Sequence, residues 1–302
     1  MGSNAAFRAL LVVALCGATL LAAAATRFLR AGMPGGRAER ATTWHGILIP
    51  GSGDLYIHLV SYLLLGLVLT GCCRAFRLAT RRARRTRAFL ADCQLAPAAT
   101  PPGLARAAER AGLARRVDCI AADHALAFCY GLRHPRVAIS VGLVALLDER
   151  ELEAVLRHEA YHLEHRDPLR LIVADILAAA FRFLPLVGML RDHHIVAQEL
   201  AADRHAVRAL GTDRSLAAAL YKLLTCATAP VPLAEPAGTG ALALRVDALL
   251  GTEPPPRHHI RPGGIYLTAG VGAAMLLLNV VPLHLLTGEH LAVPYALSAL
   301  LP

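Results

Sequence analysis

In a chain of 302 residues, 56% hydrophobic content against 18% charged and 5% aromatic residues, with a mean hydropathy of +0.48, excludes a disordered segment and points to a membrane protein rather than a soluble globule. The formal net charge of +9 comes from arginines clustered beside apolar runs, so it says little about nucleic acid. Seven cysteines without a C-x-x-C pair exclude a dense disulfide framework and read as reduced or packing thiols.

Residues 9–25, ALLVVALCGATLLAAAA, and 55–73, LYIHLVSYLLLGLVLTGCC, are each long enough to cross a hydrocarbon core of about 30 Å. The first reads as a retained anchor because a second span follows. A cleaved leader is the alternative, with Ala22 to Ala25 supplying small residues. Residues 1–73 are therefore expected to form two transmembrane helices and a connecting loop. The stretch RAFRLATRRARRTR, Arg74 to Arg87, carries seven arginines and no acid, so residues 74–115 read as a basic juxtamembrane helical region. Positive-inside bias puts this region and the domain C-terminal to it in the cytoplasm, although four arginines in the loop 26–54 oppose it. With no interleaved aromatic platform, the run fits anionic lipid headgroups of the bilayer better than nucleic acid.

Next, ALAFCYGLRHPRVAIS alternates around Gly131 to Pro135 and predicts a β-hairpin. Its edge could hold an extended peptide. Asp148 and Glu151 then make a capping pair before ELEAVLRHEAYHLEHR, whose Leu152, Val155, Leu156 and Leu163 recur at helical spacing. Asp167-Pro168 ends that helix. Within it, His158, Glu159 and His162 form the pattern H-E-x-x-H, which sets two imidazoles on one helix face, as a zinc peptidase requires. Glu159 points about 100° away from His158, so it is placed as general base and not as a ligand.

A catalytic zinc needs a third protein ligand. The metzincin continuation is excluded, because it wants Gly and His where His165 and Pro168 stand. In QELAADRHAV, Glu199 and Asp203 lie one helical turn apart; Glu199 would complete the ligand set and Asp203 would orient a histidine ring. His165, His193, His194 and His205 are rival ligands, and Arg204, His205 and Tyr221 are candidate oxyanion donors.

Between His162 and Glu199 runs LRLIVADILAAAFRFLPLVGML, residues 169–190. A crossing there would separate ligands by about 30 Å when each must lie about 2 Å from one ion. Pro185, Gly188, Asp175 and Arg182 also oppose a straight lipid-facing span, so the run is expected to break near Pro185 and pack inside the catalytic domain or on the membrane surface. The peptidase core is set at residues 116–225. A Pro/Gly-rich connector at 226–264 contains a short helical ALRVDALL, and the pair His258-His259 is read as solvated. A third span at 265–287 and a short tail at 288–302 complete the chain.

PRVAISVGLVALLDERELEAVLRHEAYHLEHRDPLR, followed by FRFLPLVGML, QELAADRHAV and LRVDALL, resembles the integral-membrane metallopeptidases related to the bacterial β-lactam sensor-antirepressors, over roughly Ala125 to Leu250. The CAAX-type and heat-shock-type membrane metallopeptidases share H-E-x-x-H and E-x-x-x-D, but the F-x-P-L-V element and the short spacing to Glu199 favour the sensor-antirepressor group. That resemblance implies zinc, cytoplasmic proteolysis of a protein or peptide substrate and, as a target, a transcriptional repressor. The expectation is a mainly α, multi-span membrane protein with a gluzincin-like α+β zinc peptidase domain, His158, His162 and Glu199 holding the metal and Glu159 acting as base. The alternatives are a housekeeping CAAX-type or heat-shock-type membrane protease, a catalytically inactive membrane receptor, and a scaffold whose basic segment recruits acidic partners.

Overall fold

A computed structural model describes residues 2–32, 43–44, 47–48, 52–92, 100–131, 134–226, 245 and 261–287. The expectations for His258, His259 and the tail at 288–302 lie outside the described residues. α1 (Ser3–Gly32) precedes a short antiparallel pair, β1 (Thr43–Trp44) with β2 (Ile47–Leu48). α2 (Ser52–Asp92) then runs without interruption through the second apolar stretch and into the arginine run.

The elements after α2 follow in chain order. They are α3 (Pro102–Arg110), β3 (Val117–Ile120), β4 (Ala127–Tyr130), β5 (Arg136–Ser140), α4 (Val141–Leu146), α5 (Glu149–Glu164), α6 (Asp167–Ala180), α7 (Pro185–Leu210) and α8 (Arg214–Cys226). The last described helix, α9, is Pro262–Thr287. The larger sheet has the order β3-β5-β4, with β3 parallel and β4 antiparallel to β5, which leaves β4 at an edge. Arg136 ties the sheet together by forking onto Asp118 at 2.5 and 2.6 Å, where the Tyr130 hydroxyl also donates.

α5 is the central element. Its start is fixed by a capping box in which Asp148 accepts from the backbone of Arg150 and Glu151, both at 2.8 Å, while Glu151 reaches back to the Asp148 N–H. Leu152, Val155, Leu156, Ala160 and Leu163 bury one side of it against Leu104, Ala107 and Ala108 of α3 and Val137 and Ile139 of β5. α3 therefore belongs to this core, although it lies in the segment that sequence alone assigned to the juxtamembrane region. Its Leu104, Ala107 and Ala108 are all buried at i, i+3, i+4 spacing.

Arginines reinforce the α3–α5 contact. Arg106 forks onto Glu149 at 3.0 and 3.2 Å, and Arg110 bridges Glu149 at 2.7 Å and Glu153 at 2.6 Å. Hydrogen bonds from Arg106 and Arg110 hold the Glu149 carboxyl at about 2, below its ordinary 4.5. Burial works to raise Glu153, but Arg110 and Arg157 outweigh it and its carboxyl is lowered too. A carboxyl whose folded pKa lies below its unfolded one stabilises the fold above the unfolded value, and that contribution fades as pH falls through the folded value. Melting temperature is therefore expected to drop between about pH 4.5 and pH 2, with a flatter dependence in Glu149→Gln; identical profiles would dismiss the clamp.

The apolar run at 169–190 breaks just before Pro185. α6 ends at Ala180, and α7 begins at Pro185, where the ring fits the first turn of a helix. α6 runs back along α2: Asp175 pairs with Arg82 at 2.5 Å, and a Cβ on Gly71 would meet the Ala180 carbonyl at 2.6 Å. α7 likewise runs back along α1, with Leu184 and Phe181 beside Gly17 at one end and His194 beside Ser3 at the other. Leu184, Val187 and Leu190 form a second core with Leu10 of α1, and α9 joins through Thr268, whose hydroxyl accepts from the Leu186 N–H at 3.0 Å. α6 and α7 thus form a hairpin between α1 and α2. Its tip lies beside Gly17, about 21 Å along α1 from Ser3 at 1.5 Å per residue, short of the roughly 30 Å of a hydrocarbon core. Among the described residues, Ser3–Ala23 is the one helical stretch long and apolar enough to cross a membrane, and the described apolar stretch of α9, Pro262–Leu277, is shorter.

Candidate metal centre

Small residues let α5 and α7 approach closely, because Ala154, Ala202 and Ala206 are all fully buried. That approach brings His158 and His162 of α5 to Glu199 of α7. The two Nε2 atoms are 3.0 Å apart; Glu199 Oε2 lies 3.6 Å from His158 Nε2, and Oε1 lies 3.6 Å from His162 Nε2. One ligand atom from each residue falls within a 4.8 Å group. A tetrahedral ion with bonds of about 2.0–2.2 Å sets its ligand atoms about 3.4 Å apart, so the donor set and its spacing fit zinc.

The outer nitrogens are backed by carboxylates. His158 Nδ1 is 2.9 Å from Asp203 Oδ1, the ring-orienting part expected of Asp203 from sequence, and His162 Nδ1 is 2.8 Å from Asp167 Oδ2. Asp167 reaches His162 because Arg166 adopts a left-handed conformation at φ 52°, turning the chain sharply between α5 and α6. In the sequence Asp167 reads, with Pro168, as closing one helix and capping the next, and not as a partner of His162. Asp167→Ala is expected to weaken metal affinity by about 10- to 100-fold through loss of ring orientation, read by competition with a chelator; unchanged affinity would remove Asp167 from the centre.

The local field suits a cation. Burial and Arg245 both work to lower His158, but hydrogen bonds to Asp203 and Glu199 outweigh them and raise it to about 9. Burial works to raise Glu199, yet His158, Arg245 and His162 hold its carboxyl well below the ordinary range. Asp203 is lowered in the same way, by His158 and Arg245 against burial.

Glu159 is 9% exposed and stands outside the three-residue group, with its Oε2 accepting from the Cys129 thiol at 3.0 Å. Burial and the Glu159 charge push that thiol far above its ordinary pKa, so it stays protonated and donates. Cys129 lies on β4, the edge strand, a link that its place in the predicted hairpin did not reveal. Arg245 was missed as well: its Nη1 is 2.9 Å from Glu199 Oε2, and Nε and Nη2 are 2.8 and 2.7 Å from Asp203.

The rival histidines are placed elsewhere. His165 stacks on Tyr161 with ring centroids 3.9 Å apart, His205 packs against the same tyrosine, and fully buried His194 faces Ser3. His193 lies beside His194 on α7 and is likewise outside the group. Of the candidate oxyanion donors, Tyr221 is 65% exposed on α8, while Arg204 and His205 lie on α7 beyond Asp203.

Residues 102–198 match the family model described as Peptidase family M48. The match takes in α3, the larger sheet, α5, α6 and α7 as far as residue 198, and stops one residue before Glu199. Curated relatives agree with it. The chain is 30% identical over 176 residues to a "Protease HtpX homolog" of Paraburkholderia phytofirmans, covering 47% of this chain and 62% of that protein. It is 42% identical over 78 residues to one of Acidiphilium cryptum, covering 25% and 27%, and 30% identical over 143 residues to one of Methanothermobacter thermautotrophicus, covering 39% and 55%. The chain thus spans less than two thirds of the length of these relatives.

Proposed function

We propose that this protein is a zinc-dependent endopeptidase held in a lipid bilayer by α1, α2 and α9, cleaving protein substrates on the cytoplasmic side. The observation that carries the reading is the meeting of H-E-x-x-H on α5 with Glu199 on α7, within 4.8 Å, inside a chain matched to a peptidase family. Membrane residence is supported by apolar side chains left facing outward on three helices: Val12 and Leu15 on α1, Leu63 and Leu69 on α2, and Leu267 and Leu277 on α9, each at least 57% exposed.

His158, His162 and Glu199 would hold zinc, which supplies Lewis acidity at the scissile carbonyl. Glu159 takes a proton from the attacking water and returns it to the leaving amine. The Cys129 thiol fixes the carboxylate that does this, and Asp203 and Asp167 fix the two imidazole rings. Among the described residues no strand lies on the outer side of β4, and that edge offers main-chain hydrogen bonds to an extended peptide, laying it across the end of the sheet nearest Glu159.

The substrate divides two readings of the same site. The sensor-antirepressor resemblance gives cleavage of a transcriptional repressor in a signalling pathway; the heat-shock-type alternative gives housekeeping cleavage of membrane proteins, and it fits the names of the relatives at least as well. Comparing new protein N-termini in native-host cells that carry wild type or Glu159→Gln at matched expression tests both. Termini that depend on Glu159 establish proteolysis and name the substrates. Their absence, at rest and under envelope stress, would leave the inactive-receptor reading.

A further inference from the structure

Arg245 lies in the Pro/Gly-rich connector, 14% exposed, with all three guanidinium nitrogens directed at carboxylates of α7. Nε donates to Asp203 Oδ2 at 2.8 Å and Nη2 to Oδ1 at 2.7 Å, a two-pronged fork on one carboxylate. The remaining nitrogen, Nη1, is 2.9 Å from Glu199 Oε2. Asp203 Oδ1 is in turn 2.9 Å from His158 Nδ1. A single side chain therefore touches Glu199 directly and reaches His158 both through Asp203 and through Nη2, which lies 3.4 Å from Nδ1 and 3.5 Å from Nε2 of that ring.

We propose that Arg245 is a positioning residue of the metal centre, an inference that rests on the zinc reading above. By engaging Oε2 it leaves Glu199 Oε1 as the oxygen on the His162 side, 3.6 Å from Nε2. By forking onto Asp203 it locks the carboxylate that sets the His158 ring. The contacts need an arginine: a lysine ammonium is a point charge on a flexible stem and cannot grip both oxygens of Asp203 while reaching Glu199.

A rival account makes Arg245 only a counter-charge for Glu199 and Asp203. The two accounts predict opposite signs. A cation beside a divalent ion opposes its binding, so if charge is all that matters, removing it tightens metal binding, and lysine behaves as arginine does. If positioning matters, both replacements loosen metal binding, because ligand orientation set by outer partners is worth about 10- to 100-fold in affinity.

The test uses the full chain in detergent micelles as wild type, Arg245→Gln and Arg245→Lys. Zinc affinity is measured by competition with a chromophoric chelator, and the visible spectrum of the cobalt-substituted protein reports coordination. The expected result is a loss of about 10- to 100-fold in both variants, with unchanged far-ultraviolet dichroism. The cobalt bands should also change, because a released Glu199 no longer presents a single fixed oxygen. Arg245→Lys keeps a positive charge beside Glu199 and Asp203, so it carries the test if Arg245→Gln does not fold. Wild-type affinity and spectrum in Arg245→Lys, or tighter binding in Arg245→Gln, would overturn the proposal while leaving the metal site standing. A wild type that binds no metal would overturn the zinc reading itself, and this inference with it.

Discussion

Glu159→Gln is expected to lower peptide cleavage by about 10²- to 10⁴-fold, the contribution typical of a positioned general base, while metal content stays at the wild-type level. The separation follows from geometry. Glu159 lies on the ligand helix but outside the three-residue group, so glutamine leaves the donors in place. The new side chain has the same shape and can still accept from the Cys129 thiol, which lies 3.0 Å from the native carboxylate. What it cannot do is take up a proton near neutral pH. Assaying a quenched peptide together with metal analysis on the same preparation distinguishes three cases. Lost activity with retained metal supports the assignment. Full activity would move the base elsewhere, and joint loss of metal and activity would make Glu159 a ligand or a structural residue.

His162→Ala and Glu199→Ala are each expected to reduce zinc affinity by more than about 100-fold, beyond the range found when only an outer partner of a ligand is removed. The two residues lie on different helices and approach through Oε1 and Nε2 at 3.6 Å, so equal consequences would show that α5 and α7 build one centre. Because metal bound only to the folded state stabilises it by mass action, about 2.7 kcal/mol at a concentration 100 times Kd, added zinc should raise the melting temperature of the wild type and not of either variant. His165→Ala serves as the control, since that ring is engaged with Tyr161, and it should behave as wild type. A zinc-dependent rise that survives in Glu199→Ala would mean that another residue completes the set.

The parts of this protein that could be read from sequence are those whose signals are local. The Asp148 and Glu151 box, the apolar spacing of α5 and the alternation of β4 and β5 each operate within a few residues, and the structure shows helix, cap and hairpin at those places. The break before Pro185 followed from combining a backbone rule with the requirement that two ligands share one ion. The hairpin that satisfies it could not be drawn, because the return path depends on which faces of α1 and α2 receive α6 and α7. Other features depend on long-range partners. Cys129 and Glu159 are 30 positions apart, and Arg245 and Asp203 are 42. No composition rule distinguishes a buried, carboxylate-gripping arginine from a solvated one in a proline-rich stretch. α3 had a legible signal in Leu104, Ala107 and Ala108, outweighed by the arginines on either side of it.

The position of Arg245 also sets an order of events during synthesis. Both histidines, Glu159, Glu199 and Asp203 leave the ribosome before residue 245 does, and α5 and α7 have the buried alanines that let them pack as soon as both exist. At roughly 5–20 residues per second, a nascent chain spends some seconds with every donor made and its guanidinium still to come. During that interval Glu199 and Asp203 lack the guanidinium that engages both. A growing chain therefore acquires its donors first and their final arrangement last, once Arg245 reaches α7.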